Sequence, residues 1–270
     1  MSDAKSTSDL TIAADVRLTP GEQSLSFAGR SLVEASFAGE DLRGADFRGA
    51  DLTAADFRGA RLDGANFESA DLTAAHLEGA VARAAQFTDT LLFYAHCARA
   101  NLEDAVLTRA FMHHADLTAV SAKNARFTWA RLMHATLAEG AFAGADFTGV
   151  SLRFADCRRA DLSFTTLEFA EAAAARLDSA LLRSALLINV NLDRASFAGA
   201  DFTGATLGRA VLTSCADLSR AVGLESISHI APSAVDVATL QSIAAGVPPS
   251  FLVGIGVESV PGTVPGAARL

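Results

Sequence analysis

Ala45-Asp46-Phe47-Arg48-Gly49-Ala50-Asp51-Leu52-Thr53-Ala54-Ala55-Asp56-Phe57-Arg58-Gly59 is one five-residue phrase written three times: a small residue, a polar one, a large apolar one, and two residues of corner type. Stepping outward from Phe47 by fives, the phrase runs back to Phe27 and on to Leu212 without an insertion or deletion, which makes 38 consecutive units. The large position is Leu in 21 units, Phe in 11, and Ala, Cys or Met in the other 6; two residues earlier the chain has Ala in 29 of 38. Residues two apart in an extended chain face the same side. The Ala and the Leu or Phe therefore point inward together, and the polar residue between them points out. Each unit is a very short strand followed by a bend. One unit cannot bury its apolar face alone, so units must stack into a solenoid whose coils cover one another.

Composition agrees with a repeated template. The 270 residues hold 17 Phe but one Trp and one Tyr. The net charge of −9 argues against direct nucleic-acid binding, which needs a basic footprint. Cys97, Cys157 and Cys215 lack any CxxC spacing, which argues against a disulfide framework or a zinc site. The first 25 residues contain no apolar core of a signal peptide, and no run of 18 apolar residues suggests a membrane span. The expected compartment is the cytosol.

Segments such as Ala45–Gly49, Ala50–Ala54 and Ala200-Asp201-Phe202-Thr203-Gly204 resemble the A(D/N)LXX pattern of pentapeptide-repeat proteins, over roughly residues 25–222. The resemblance implies an all-β fold, a right-handed quadrilateral parallel β-helix with four units, or 20 residues, per coil. The sequence supports that period in part. Sorted into four sides, the inward column that starts at Phe27 has Phe in 6 of 10 units, and the column that starts at Leu32 has none in 10. About 9.5 coils at roughly 4.8 Å each give a rod on the order of 45 Å long.

The ends are different. Residues 1–24 read as an N-terminal tail or cap, with a cap strand expected from Leu10 to Leu18. Past Leu212, Ala216-Asp217-Leu218 stands one residue out of phase. Residues 223–270 read as a short helical C-terminal cap and tail: a helix from Ala234 to Ala245 with Ser233 as N-cap and Gly246 as stop, a second turn opened by Pro249, and a Pro/Gly-rich end.

Four constellations are candidates for function. No Ser, Cys or His stands outside the repeat lattice in a catalytic setting, so no catalytic residue is expected, and Gly254-Ile255-Gly256 lacks the strand–turn–helix context of a cofactor fingerprint. The outward column Asp56, His76, His96, Asp116, Thr136, Asp156 places metal-ligand types in adjacent coils, and His113, His114 and His134 form a second cluster. Lateral hydrogen bonding accounts for both, so no metal or other cofactor is expected. The third constellation is aromatic. Leu91, Phe93 and Tyr94 point outward; one coil on come Phe111, His113 and His114, then Met133 and His134, then Phe154, with Trp129 just before that side. Exposed apolar patches mark interfaces, and aromatics and Met are enriched there.

The fourth is charge. Residues 25–80 carry 10 acidic and 5 basic side chains, residues 81–224 carry 14 of each, and Asp41, Asp46, Asp51, Asp56 and Asp71 make the acidic N-terminal surface. Several members of the resembled family imitate DNA and bind type II topoisomerases, conferring resistance to gyrase poisons. The resemblance therefore implies a non-enzymatic protein-binding factor, with a topoisomerase such as DNA gyrase as partner. The alternative is an assembly scaffold that binds through the aromatic patch. A homodimer or other homo-oligomer is expected in either case. Duplex DNA carries one charge per about 1.7 Å, so a rod of about 45 Å would need about 26. The solenoid's net of 5 falls far short.

Overall fold

The computed structural model of the chain describes residues 25–215, 217–243 and 246–257. The expected strand at Leu10–Leu18 and the Pro/Gly-rich end after Ser259 lie outside the described residues. From Leu25 onward the chain is a stack of coils, each of four five-residue units. Through most of the stack the residue between the two inward ones forms a parallel bridge with the residue 20 positions on, as in Asp51↔Asp71, Asp71↔Leu91 and Leu91↔Phe111. This repeat β-helix is built from single bridges, and among the described residues runs long enough to be strands appear only near its C-terminal end. These are β1 (Leu186–Ile188), β2 (Thr206–Gly208) and β3 (Ser228–His229), in one parallel sheet ordered β1-β2-β3.

The hydrogen bonds explain the five-residue phrase. In the unit Ala50–Ala54, Ala50 N–H donates to Phe47 within the turn at 3.0 Å. Asp51 N–H donates to Arg30 one coil back, and Leu52 and Ala54 donate to Asp71 and Thr73 one coil on, all at 2.7–2.9 Å. One donor is left, the N–H of Thr53. It donates to Oδ1 of Asp51, two residues earlier, at 3.2 Å. The same Asp or Asn closure recurs at Asp46, Asp56, Asn66, Asp71, Asn101, Asp116, Asp146, Asp156, Asp161, Asn191 and Asp201. Backbone donors are obligatory hydrogen-bonding groups, and a short Asp or Asn side chain reaches the second N–H ahead of it.

The bend has a conformational demand. In all 38 units the residue two after the large apolar one has φ between +51° and +74°. With an i→i+3 bond across the bend, this is the type II turn signature, which favours glycine at that position. Seven of the first eleven corners are glycine, from Gly29 to Gly79; most later corners are not.

Inside, Ala and Leu or Phe fill the bore. Phe27, Phe47, Phe67 and Phe87 stack at 4.6–5.0 Å, and Phe37 and Phe57 stack at 4.8 Å. The two ladders meet edge to face at 5.5–5.7 Å, a favoured aromatic geometry. A second cluster joins Phe127, Phe142 and Phe147.

Past Leu212 the pairing interval stretches: Asp201 bridges Val222, Thr206 pairs with Ser228, and Val211 bridges Ala234, at 21, 22 and 23 residues instead of 20. The 3₁₀ turns Leu218–Arg220 and Leu224–Ser226 take up the excess and bury Leu218 and Leu224. Helix α1 spans Val237–Ile243 and α2 spans Pro249–Gly254. The helix expected from Ala234 starts three residues later, because Ala234 is still bridged to Val211. Ser233 is not the cap; its Oγ accepts from the N–H of Ala210. Asp236 caps α1 instead, accepting from Thr239 N–H at 2.9 Å. Cys215 N–H donates to Thr239 Oγ1, and Ile243, Phe251, Leu252 and Ile255 are buried.

Candidate functional site

Residues 20 apart stack in register, so every outward position becomes a column along the rod. On the side that carries Leu91 there are three. The bridge column reads Asp51, Asp71, Leu91, Phe111, Arg131, Ser151; the next reads Thr53, Thr73, Phe93, His113, Met133, Arg153; the corner column reads Ala54, Ala74, Tyr94, His114, His134, Phe154. The corner column is a continuous ladder of rings. Tyr94–His114, His114–His134 and His134–Phe154 each stack with centroids 5.0 Å apart and planes within 6°. All four rings are exposed, Tyr94 to 56% and Phe154 to 48%. All four also sit at left-handed corners, with φ of 57–60°. Bulky side chains there cost conformational energy that glycine avoids.

The other patch residues lie lower. Leu91, Phe93, Phe111, His113 and Met133 are half-buried rather than fully outward. The Phe93 ring stacks on His113 at 5.3 Å, and the Arg131 guanidinium stands 4.7 Å over the Phe111 ring. His113 Nδ1 is buried without a hydrogen-bond partner. Burial, and then the nearby positive groups Arg131, His114 and His134, push the His113 pKa below its ordinary 6.5. Trp129 does not join the ladder. It stands on the corner of the adjoining side, 56% exposed, with its ring over Gly149, where any Cβ would lie 2.2 Å from it. Between Trp129 and Arg131 runs an open groove of about 410 Å³, which also takes in Phe111 and the Asp89–Arg109 pair. Phe164, 67% exposed at another corner, escaped the sequence reading although it occupies the same slot of its unit.

The acidic surface is largely occupied with its own neighbours. Asp41 pairs with Arg43 at 2.7 Å and Arg61 at 3.3 Å, Asp46 with Arg48 at 2.7 Å, and Asp56 with Arg58 at 2.6 Å. Hydrogen bonds from these arginines hold the three carboxyls below the usual carboxylate range. Asp51 and Asp71 close the N–H groups of Thr53 and Thr73. The histidine column is similarly engaged: His76 bonds Glu78 and stacks on His96 at 4.7 Å, and Asp116 bonds Thr118. Among the described residues no group of three or more His, Cys, Asp or Glu is placed to hold a metal ion. Cys97, Cys157 and Cys215 are buried free thiols, each pushed up to about 12 by burial. No described helix is long and apolar enough to cross a membrane.

The family model for pentapeptide repeats matches in eight copies, over residues 31–68, 65–92, 85–121, 95–133, 141–171 and 175–213, which together take in more than half of the chain. The chain belongs to the pentapeptide-repeat family. No curated protein matches it by sequence. Solved pentapeptide-repeat structures resemble it at low overall similarity. HetL, involved in heterocyst differentiation regulation in the cyanobacterium Nostoc sp. strain PCC 7120, is 25% identical, with 79% of this chain and 92% of that one covered and a TM-score of 0.30. QnrB1, a plasmid-mediated fluoroquinolone resistance protein, is 15% identical, with 82% and 96% covered and a TM-score of 0.34. A pentapeptide-repeat protein of the Arabidopsis thaliana thylakoid lumen is 19% identical, with 56% and 86% covered and a TM-score of 0.21.

Proposed function

We propose that this chain is a non-catalytic protein-binding rod and that its binding surface is the side carrying the ring ladder. The observation behind this reading is the run Tyr94, His114, His134 and Phe154. Four exposed rings stand in succession at corners whose backbone favours glycine. Strained, bulky, exposed residues kept against local preference point to a functional demand on that surface. The absence of chemistry in the reading rests on engaged groups: thiols raised to about 12 and carboxylates tied to arginines or turn amides. In the full reading, residues 25–222 are a right-handed quadrilateral rod, residues 223–270 cap it, and the buried free thiols suit a reducing compartment such as the cytosol. The test is quantitative affinity capture from the native cell with wild-type bait and with a Tyr94→Ser/Phe154→Ser bait. Both residues are exposed, so the fold should survive. The reading expects specific partners to vanish with the double variant. The same partners held equally by both baits would sink it.

A narrower reading makes the chain a DNA-mimicking binder of a type II topoisomerase, meeting the enzyme through Asp41, Asp46, Asp51, Asp56 and Asp71. What favours it is the excess of acid over base in the first coils. Against it stand the arginines that neutralise Asp41, Asp46 and Asp56 in place. A supercoiling assay with purified gyrase separates the two, since the mimic must inhibit or protect the enzyme at micromolar protein in a salt-sensitive way.

A further inference from the structure

We infer that the occupant of the ring-ladder side is a second copy of the same chain, docked antiparallel, with the two-fold axis crossing that side between the coils of Leu91 and Phe111. The inference rests on reading that side as a binding surface. It adds the partner, the direction and the register.

A two-fold interface requires a single surface to be complementary to itself, and this side is. Antiparallel docking about an axis in the plane of the interface lays each column on itself, reversed. In the bridge column, Asp71 then faces Arg131 of the second copy, and Leu91 faces Phe111. In the middle column, Phe93 faces His113, and Thr53, with Asp51 beside it, faces Arg153. In the corner column, Tyr94 faces His114. The protruding rings of His134 and Phe154 fall on Ala74 and Ala54, two small corners of the ladder column. At one axis position, then, rings meet rings at the centre, the outer rings meet small corners, and acid meets base.

The charges are available for this. Asp51 and Asp71 bond only their own turn amides or the neighbouring threonine. Among the described residues Arg131 and Arg153 have no carboxylate within ion-pair distance; Arg131 lies over Phe111 instead. On this side the first three coils carry Glu34, Asp51 and Asp71 with no base, and the coils of Arg131 and Arg153 carry no acid. Parallel docking would set acid level with acid and arginine level with histidine and arginine, which costs affinity. Moving the axis half a coil toward the N-terminus would put Asp71 on Phe111 and Glu34 on Phe154, charge against ring; moving it half a coil the other way would put Asp51 on Glu171, acid against acid.

Sedimentation of the full chain across the micromolar range tests the proposal. Wild type should dimerise. Asp71→Arg and Arg131→Asp should each raise the dimer dissociation constant about tenfold or more, since each sets like charge on like twice. The combined D71R/R131D chain should recover. So should an equimolar mixture of the two single variants, because a mixed pair matches every charge; this arm does not depend on the double variant folding. A chain that stays monomeric throughout, or a dimer indifferent to both reversals, overturns the proposal. The parent reading fails separately, when Tyr94→Ser/Phe154→Ser leaves every captured partner in place.

Discussion

At the scale of the residue, the aspartate of the repeat is a backbone device first and a charge second. Asp51 accepts from the one amide of its unit that neither the turn nor the neighbouring coils satisfy. Asp51→Ala should therefore cost about 1 kcal/mol, the net worth of a typical hydrogen bond, and Asp51→Asn, which keeps the acceptor, should cost much less. Urea unfolding of the two variants checks this; equal losses would mean that the carboxylate acts through charge. The alternation of Ala45, Asp46 and Phe47 shows which residues point out, and that much was legible in the sequence. What the outward residue bonds was not. The bond joins a side chain to a backbone group two residues on, across a bend whose geometry a hydropathy pattern does not contain. The left-handed corners were hidden for a similar reason. Glycine marks them at Gly39 to Gly64, but Tyr94, Trp129 and Phe164 mask the same slot with residues that normally avoid it.

Among the elements, the C-terminal segment shows where local signals lose to long-range pairing. Ser233 looks like a helix cap by sequence, yet its hydroxyl is spent on Ala210, 23 residues back, and Asp236 takes the role. Nothing within ten residues of Ser233 announces Val211 as the bridge partner of Ala234. The same segment carries a pH liability. The ring of His229 in β3 sits under Gly254 and edge-on to Phe251 of α2, with both nitrogens buried and unbonded. Burial lowers its pKa from 6.5. The unfolded chain therefore binds a proton there before the folded one does. Stability is full above about pH 6.5 and falls as pH drops below it toward the folded value. His113 acts in the same direction, so His229→Leu should flatten part of the slope of melting temperature between pH 7.5 and 5.5. An unchanged slope would mean that His229 finds solvent.

For the whole molecule, every coil is bonded only to the coil before and the coil after. The fold is a one-dimensional chain of contacts, and its stability is a sum of nearest-neighbour steps. This makes burial along the rod a map of local stability. In the first described coil Leu32 and Ala35 are only half-buried and Ser31, Val33 and Glu34 are exposed, whereas from Ala45 to Leu212 every inward Ala, Leu and Phe is buried. The side of this rod that differs most from the repeat average, Leu91 to Phe154, lies in its well-buried middle. A binding surface there rests on a base that opens rarely, which is what a fixed register of acid against base demands. Amide hydrogen exchange should show this order. The amides of Phe27 to Leu42 should exchange fastest, through local opening, and those of Leu92 to Leu152 slowest, near the limit set by global unfolding. On self-association the protection of Tyr94, His114 and Phe154 should rise further while that of Arg99 and Arg159, on another side of the same coils, stays level. Uniform exchange along the rod would show instead that the coils open as a single unit and that burial does not rank them.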